Sequence, residues 1–179
     1  MIYTTLNKIR AHHPCGDGWK KLLKHLGKTD ADDEPLAIST ILESNGLDDA
    51  LWCLRALPEY DRLWHKYAIW CASQVQHLMD DARSLHALDV AERYTNGLAT
   101  YEELANAKEA ARKAACSTPC GAARSANWAA WSATWGDAMI ATNTTRDAWD
   151  DARDAQEEEF MRIITEYDNL ESINDSSRN

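Results

Sequence analysis

Four side chains of the kinds that bind metals stand within six residues near the N-terminus. The run HHPCGDGW contains His12, His13, Cys15 and Asp17. A structural zinc site needs two ligand pairs at defined spacing, and no second Cys/His pair with that spacing follows. We therefore expect a glycine-containing turn before a helix, with no bound metal and no organic cofactor.

Two acid–histidine pairs have the spacing of one helical turn. Asp61 precedes His65 by four residues, and His77 precedes Asp81 by the same interval. A carboxylate one turn away can orient an imidazole for acid–base catalysis, although ordinary surface pairs have the same spacing. No nucleophile, phosphate-binding or dinucleotide-binding motif accompanies them. We predict no catalytic residues and no enzyme activity; a small helical enzyme using His65 and His77 remains the alternative.

Carboxylates recur at helical spacing in the C-terminal third of the chain. Residues at positions i, i+3, i+4 and i+7 lie on one side of a helix, where they form a negative stripe. A second acidic run, DADDE, occupies positions 30–34. A solvated helix face is the simpler interpretation of such a stripe, and the functional one is a binding surface. The predicted partner-binding residues are Asp147, Asp150, Asp151, Asp154, Glu157 and Glu158.

The charge of the whole chain indicates the kind of partner. The sequence has 29 acidic and 19 basic residues, which gives a formal net charge of −10. A protein of this charge is repelled by phosphate and attracts cationic surfaces over long distances. We expect a basic protein partner and no direct contact with nucleic acid; the oligomeric state is left open.

Three tryptophans follow one another at i, i+3 and i+7 in the run NWAAWSATWGDAM. If one helix continues from Trp128 to Tyr167, these indoles share a stripe with the later aromatic and aliphatic residues, and the carboxylates lie opposite. Because buried indoles remove a large apolar area from water, the stripe predicts core positions for Trp128, Trp131 and Trp135. A helix break at 143–145 would undo the shared phase. An exposed stripe would instead suit an assembly protein that oligomerises through its tryptophans.

The elements that carry these residues are predicted to be helices. Leucine, alanine and tryptophan are abundant, phenylalanine occurs once, and the chain has four prolines and seven glycines. We predict an all-α, single-domain multi-helix bundle with a central buried helix near 58–78 and a long C-terminal helical segment. The predicted domain covers 1–172. Its parts are an accessory helical region at 1–45, a core at 46–142, an acidic amphipathic helix at 143–172 and a frayed tail at 173–179.

Local signals predict several helix ends. Gly27 is expected to stop the first long helix, and Pro35 to lie early in the next. Thr100 and Glu103 form a capping box for a helix from Tyr101 to about Ala115. Thr118 is expected to cap the following helix, with a proline at its first position.

Composition also indicates where the chain works. No run approaches the roughly 18 to 20 apolar residues that a membrane span needs. The five cysteines are an odd number scattered through helical segments, as is usual in a reducing compartment. We expect a soluble chain without a membrane partner in the cytoplasm of a bacterial host cell.

Residues 46–142 resemble a known family. The runs LDDALWCLRAL, YAIWCASQVQHLM and DARSLHALDVAERYTNG, followed by an Ala/Trp-rich segment, are similar to the bacterial immunity proteins of polymorphic-toxin systems, specifically the fifth immunity family. Members of this family also occur in phages and prophages. The resemblance implies an all-α protein that neutralises a toxin by binding it, with no catalytic residues.

Charge, composition and resemblance together lead to one functional hypothesis. We expect a non-enzymatic inhibitory binding protein, encoded by a phage or prophage, that neutralises a basic nucleic-acid-handling protein. The target would be a toxin nuclease or a host defence complex such as CRISPR-Cas. The segments on either side of 46–142 depart from the family pattern, and they would suit an inhibitor of the anti-CRISPR type.

Overall fold

The computed structural model describes residues 2–119, 121–146 and 152–176, with side chains up to residue 167. Nearly all regular structure in these residues is helical, so the predicted all-α, multi-helix fold is confirmed. The chain divides into two compact units, one formed by Met1–Glu59 with Phe160–Asn179 and the other by Tyr60–Glu159. The predicted segment boundaries within 1–172 stay predictions.

The first unit begins with a two-stranded antiparallel pairing of β1 (Tyr3–Thr4) with β2 (Leu36–Ala37). Leu22, Ile38 and Ile41 are among its buried side chains. The burial of such aliphatic stripes stabilises short helices that would not persist alone. The helices of this unit before residue 60 are α1 (Leu6–Ala11), α2 (Gly16–Leu26), α3 (Ile38–Asn45) and α4 (Leu47–Cys53), followed by a 3₁₀ turn at Leu54–Ala56.

The sequence predicts the end of α2 correctly and the start of α3 incorrectly. Gly27 caps α2 in the left-handed conformation, with φ of 65°, as its sequence position predicts. The helix predicted to contain Pro35 in its first turn begins only at Ile38. Leu36–Ala37 is extended because it pairs with β1, a contact with residues more than thirty positions earlier.

The second unit is built around α5 (Asp61–Gln74), which packs against α6 (Ala82–Thr95), α8 (Ala122–Trp135) and α9 (Ala138–Arg146). Trp64, Tyr67 and Cys71 on α5 are buried. The predicted central buried helix near 58–78 is therefore confirmed, with 3₁₀ turns at both of its ends. The other helices are α7 (Tyr101–Ser117) and α10 (Ala152–Ser176), and the part of α10 from Phe160 onwards belongs to the first unit.

The two ends of α7 show one correct and one wrong prediction. The Thr100 hydroxyl accepts from Glu103 N at 3.2 Å, and the Glu103 carboxylate accepts from Thr100 N at 2.7 Å, which confirms the capping box. Thr118 was expected to cap the next helix, and this is wrong. Its hydroxyl donates to Ala114 O at 3.0 Å, at the end of α7, and α8 begins after Gly121.

The sequence allows a helix break at positions 143–145, whereas the structure has a break at Gly136. α9 continues through positions 143–145, whereas α8 ends at Gly136, which is left-handed with φ of 66°. The predicted long C-terminal helical segment is confirmed as α10, with 25 residues. Within the described ranges, none of the helices has both the length and the apolar character needed to cross a bilayer.

Candidate protein-binding site

The acidic residues of α10 were predicted to bind a partner, and three of the six can be located. Asp154 and Glu158 are exposed and lie one helical turn apart. Glu157 is partly exposed and forms an ion pair with Arg153 at 3.6 Å. Asp147, Asp150 and Asp151 lie outside the described residues.

Two arginines of α10 form ion pairs with acidic residues of the same helix. Arg153 partly neutralises Glu157, and Arg162 pairs with Glu166 at 2.6 Å. The neighbouring Glu159 is only 8% exposed. In the part of the chain that the structure describes, Asp154 and Glu158 are the carboxylates of this predicted set without an ion pair. Among the described side chains of α10, these two residues are therefore the carboxylates most available to a partner.

The tryptophan stripe of α8 is less buried than predicted. Trp135 is 52% exposed, so its predicted core position is wrong. Lys108 Nζ lies over its ring. Trp131 is partly buried and packs against the apolar cluster of α6 and α7, and Trp128 is partly buried too. The Trp131 ring contacts both other indoles edge-on, with centroids 5.1 and 5.8 Å away.

Alanines form the buried stripe of α8 instead. Ala126, Ala129, Ala130 and Ala133 are fully buried in a cluster with Val75, Met79 and Leu88. On a helical wheel they lie about 180° from the tryptophans. Small side chains allow helix axes to approach closely, and α8 packs against α5, α6, α7 and α9. The prediction failed because the alanine stripe, also visible in the sequence, occupies the crowded side.

The two predicted acid–histidine pairs have different surroundings. The His65 ring lies 6.2 Å from that of Tyr94 and against the backbone of Gly136, whereas His77 is exposed in a separate 3₁₀ turn. Asp81 caps α6 and pairs with Arg83 at 2.7 Å, and this hydrogen-bonded guanidinium lowers the pKa of its carboxyl. The carboxylate expected to orient His77 therefore has another partner. The absence of catalytic residues stays a prediction.

The possible metal ligands near the N-terminus form the junction between α1 and α2. His12, His13, Cys15 and Asp17 are exposed, and His13 has a positive φ of 55°. Cys15 Sγ accepts from Gly18 N at 3.4 Å and caps α2. Among the described residues, no group of three or more His, Cys, Asp or Glu side chains is arranged to hold a metal ion.

Buried polar side chains in the second unit bind one another. Gln156 Nε2 donates to Thr142 O at 3.1 Å and to Thr145 Oγ1 at 2.7 Å. The Tyr67 hydroxyl donates to Gln156 O and accepts from Thr142 Oγ1, both at 3.3 Å. A satisfied internal network of this kind fixes the packing of α5, α9 and α10. We assign it a structural role.

A small cleft opens in the first unit among α1, α2, α3 and α4. Its space is about 70 Å³. Its walls include Ile9, Leu22 and the partly exposed indoles of Trp19 and Trp52, and its rim carries Cys15 and Asp49. We call it the Trp19–Trp52 cleft.

One hydrogen-bond network holds the polar side of this cleft. Asn45 Nδ2 donates to Asp49 Oδ2 at 2.7 Å and to Gly18 O at 2.9 Å, which joins α2, α3 and α4. A Cβ on Gly18 would lie 2.7 Å from Asp49 Oδ2 and 3.0 Å from Cys15 Sγ. Glycine at this position therefore lets the carboxylate and the thiol come close to the α2 backbone.

A buried thiol and charges of both signs lie at or near this cleft. Burial raises the pKa of Cys53, which also lines the cleft, to about 12; the negative charge of Asp49 contributes to the rise, and the positive charge of Arg55 opposes it. Burial therefore disfavours the thiolate, and the carboxylate of Asp49 is the charged group that lines the cleft.

The sequence contained a signal for this cleft. Cys15, Trp19 and Leu22 have helical spacing on α2, and Asp49, Trp52 and Cys53 have it on α4. Each set alone is indistinguishable from an ordinary helix face. The fold makes them a site by bringing the two faces together.

Comparison with known proteins finds no relative of this chain. No family model, no curated protein and no solved structure matches this chain.

Proposed function

We propose that this chain is a non-enzymatic inhibitory binding protein that neutralises a basic protein by covering its cationic surface. The observation that carries the proposal is the net charge of −10, from 29 acidic against 19 basic residues. Complementary charge accelerates the encounter of two proteins and discriminates against partners of like charge.

The exposed carboxylates of α10 support a location for this contact. Asp154 and Glu158 are exposed on successive turns of a helix. The proposed binding surface consists of these residues together with Asp147, Asp150, Asp151 and Glu157. The helix holds Asp154 and Glu158 at a fixed spacing, so these two carboxylates can meet cations of a partner without a large loss of conformational entropy.

The proposed partner handles nucleic acid, because proteins of that class present basic surfaces to phosphate. An acidic helical protein on such a surface would exclude the nucleic acid. A toxin nuclease and a host defence complex such as CRISPR-Cas are the two kinds of partner we propose, with a phage or prophage gene acting in the cytoplasm of a bacterial host. The inhibitory role is the one that the resemblance suggested for residues 46–142 in the sequence analysis implies.

Association rates test the proposal. After affinity purification has identified the partner, its association with this chain is measured at about 0.01 and 0.15 M salt, between which the Debye length falls from about 30 to 8 Å. We expect slower association at the higher salt concentration. The double variant Asp154→Lys/Glu158→Lys should slow association by about tenfold at low salt, because both reversals lie in the proposed contact.

The matched control is Glu43→Lys/Glu102→Lys, which changes the net charge equally at exposed positions on α3 and α7. Equal slowing by both double variants would remove α10 from the contact. Association that does not depend on salt would contradict the electrostatic proposal, and turnover of a small molecule abolished by His65→Ala would favour an enzyme.

A further inference from the structure

We infer that the Trp19–Trp52 cleft receives the guanidinium of an arginine side chain of the basic partner. The inference rests on the proposed function and names the kind of side chain by which the partner is held. It concerns the first unit alone and depends on residues other than the acidic ones of α10.

The size of the cleft selects a side chain over a cofactor. One water molecule needs roughly 10–15 Å³ of such space, and small-molecule sites have about 300–1,000 Å³. The cleft, at about 70 Å³, is too small for a nucleotide and large enough for a few waters or the end of one side chain. A protruding residue of a protein partner fits this space.

The walls suit the shape of arginine. Ile9 and Leu22 offer an apolar surface to its methylene groups, and the indoles of Trp19 and Trp52 add aromatic surface on which a planar guanidinium can pack. One face of the Trp52 ring already carries a guanidinium of this chain, with Arg55 Cζ 4.6 Å from the ring centre, so an arginine of the partner would use the remaining surface of the indole. Lysine has a compact, strongly hydrated ammonium group that gains less from such faces.

The charge at the rim suits a cation. Asp49 Oδ2 is held by Asn45, and within the described part of the chain Asp49 Oδ1 accepts no hydrogen bond and no lysine or arginine forms an ion pair with the carboxylate. A carboxylate that is already oriented loses little freedom on binding, and its bond to a guanidinium is charge-assisted. Asp49 therefore provides a fixed acceptor beside the apolar walls.

Alkylation of the cysteine at the rim provides a direct test. The full chain is treated with iodoacetamide, and mass spectrometry follows Cys15, with the exposed Cys116 on α7 as the internal control. The probes are acetylated hexa-arginine, hexa-lysine and the uncharged hexa-citrulline. Saturating hexa-arginine should slow alkylation of Cys15 by about fivefold and that of Cys116 by less than about twofold, because a side chain in the cleft excludes the reagent from the thiol.

A pair of neighbouring aspartates provides matched variants. Asp48 and Asp49 both lie in the first turn of α4, but only Asp49 lines the cleft. Asp49→Asn should weaken hexa-arginine binding by about tenfold and Asp48→Asn by less than about twofold. Each variant loses one negative charge, but only Asp49→Asn loses the carboxylate acceptor of the cleft. Circular dichroism confirms that each variant folds, and protection of Cys15 in the wild type requires no variant.

The outcomes separate this inference from the proposed function. Hexa-arginine that binds without protecting Cys15, or equally to both variants, overturns the arginine cleft and leaves the proposed function intact. Equal protection by hexa-lysine overturns the choice of arginine, and protection by hexa-citrulline overturns the role of charge. Association of the partner at a rate that does not depend on salt overturns the proposed function. Protection of Cys15 by hexa-arginine is measured without the partner, so its result does not depend on that outcome.

Discussion

Trp131 and Trp135 have the same side chain and neighbouring places in the stripe of α8, but their surroundings differ. Trp131 packs against the apolar cluster that includes Val90 and Leu104. Trp135 is 52% exposed beside Lys108. Because the energetic effect of an indole depends on the area that it removes from water, the two residues should contribute differently to stability.

Replacing each indole with alanine tests this difference. We expect Trp131→Ala to lower the free energy of unfolding by about 3 kcal/mol, at the lower end of the range for large aromatic residues because its burial is partial. Trp135→Ala should lower it by less than about 1 kcal/mol. Urea denaturation with far-UV circular dichroism measures both.

Equal losses for the two variants would contradict the assignment of their environments. Sedimentation velocity on the same proteins tests the assembly alternative. Self-association by the wild type that Trp135→Ala abolishes would make the exposed indole an oligomer contact.

At the scale of elements, the turn between α8 and α9 depends on one glycine. Gly136 is left-handed, with φ of 66°, and a Cβ there would overlap the ring of His65. Left-handed backbone costs other residues roughly 1–2 kcal/mol, and a steric overlap in a packed region adds to that cost. The turn therefore has both a conformational and a steric requirement.

Gly136→Ala should lower the free energy of unfolding by about 2 to 4 kcal/mol, since both requirements are violated. Gly97→Ala is the control, because Gly97 has φ of 74° and a Cβ there would meet nothing within 4 Å. We expect a loss of only about 1 to 2 kcal/mol for this control. Urea denaturation of both variants provides the comparison.

A double-mutant cycle then separates the two causes. Adding His65→Ala to Gly136→Ala should recover the steric part of the loss and leave the conformational part. If the two substitutions are simply additive, the overlap with His65 is not the cause.

At the scale of the molecule, each compact unit contains a buried thiol. Cys53 lies in the first unit and Cys71 in the second, and burial is the main cause that raises the pKa of each from an ordinary value of 9.0 to about 12. Burial also raises the pKa of Tyr67 well above its usual range. Folding therefore favours the protonated form of all three groups.

We predict that the protein loses stability as the pH rises from about 9 towards 12. In this window the unfolded thiols lose their protons while the folded ones keep them, so the unfolded state binds fewer protons. Each thiol then lowers the free energy of unfolding by up to about 1.4 kcal/mol per pH unit. The stabilising contribution is complete below pH 9. Urea denaturation at several pH values measures the slope.

The Cys71→Ala variant should show a shallower slope than the wild type, even though it is less stable at neutral pH. Cys116→Ala, at an exposed position, is the control, and its slope should match that of the wild type. Identical slopes for all three proteins would show that the buried thiols do not cause the alkaline loss.

The sequence by itself determined the class of the fold and those helix ends that depend on local contacts. Gly27 and the Thr100–Glu103 box behave as predicted because a cap needs only residues within about one turn of the helix end. The apolar pattern near 58–78 identified the central helix, since a broad apolar arc requires neighbours on several sides.

Only the tertiary structure decided which stripe of α8 is most deeply buried and which distant residues meet. The helix contains an alanine stripe and a tryptophan stripe, and the choice depends on how closely α5, α6, α7 and α9 approach it. The start of α3 depends on β1, and the Trp19–Trp52 cleft combines residues from four helices. Periodicity shows which residues share a face. What covers that face depends on contacts between residues far apart in the chain, and these form only when the whole unit packs.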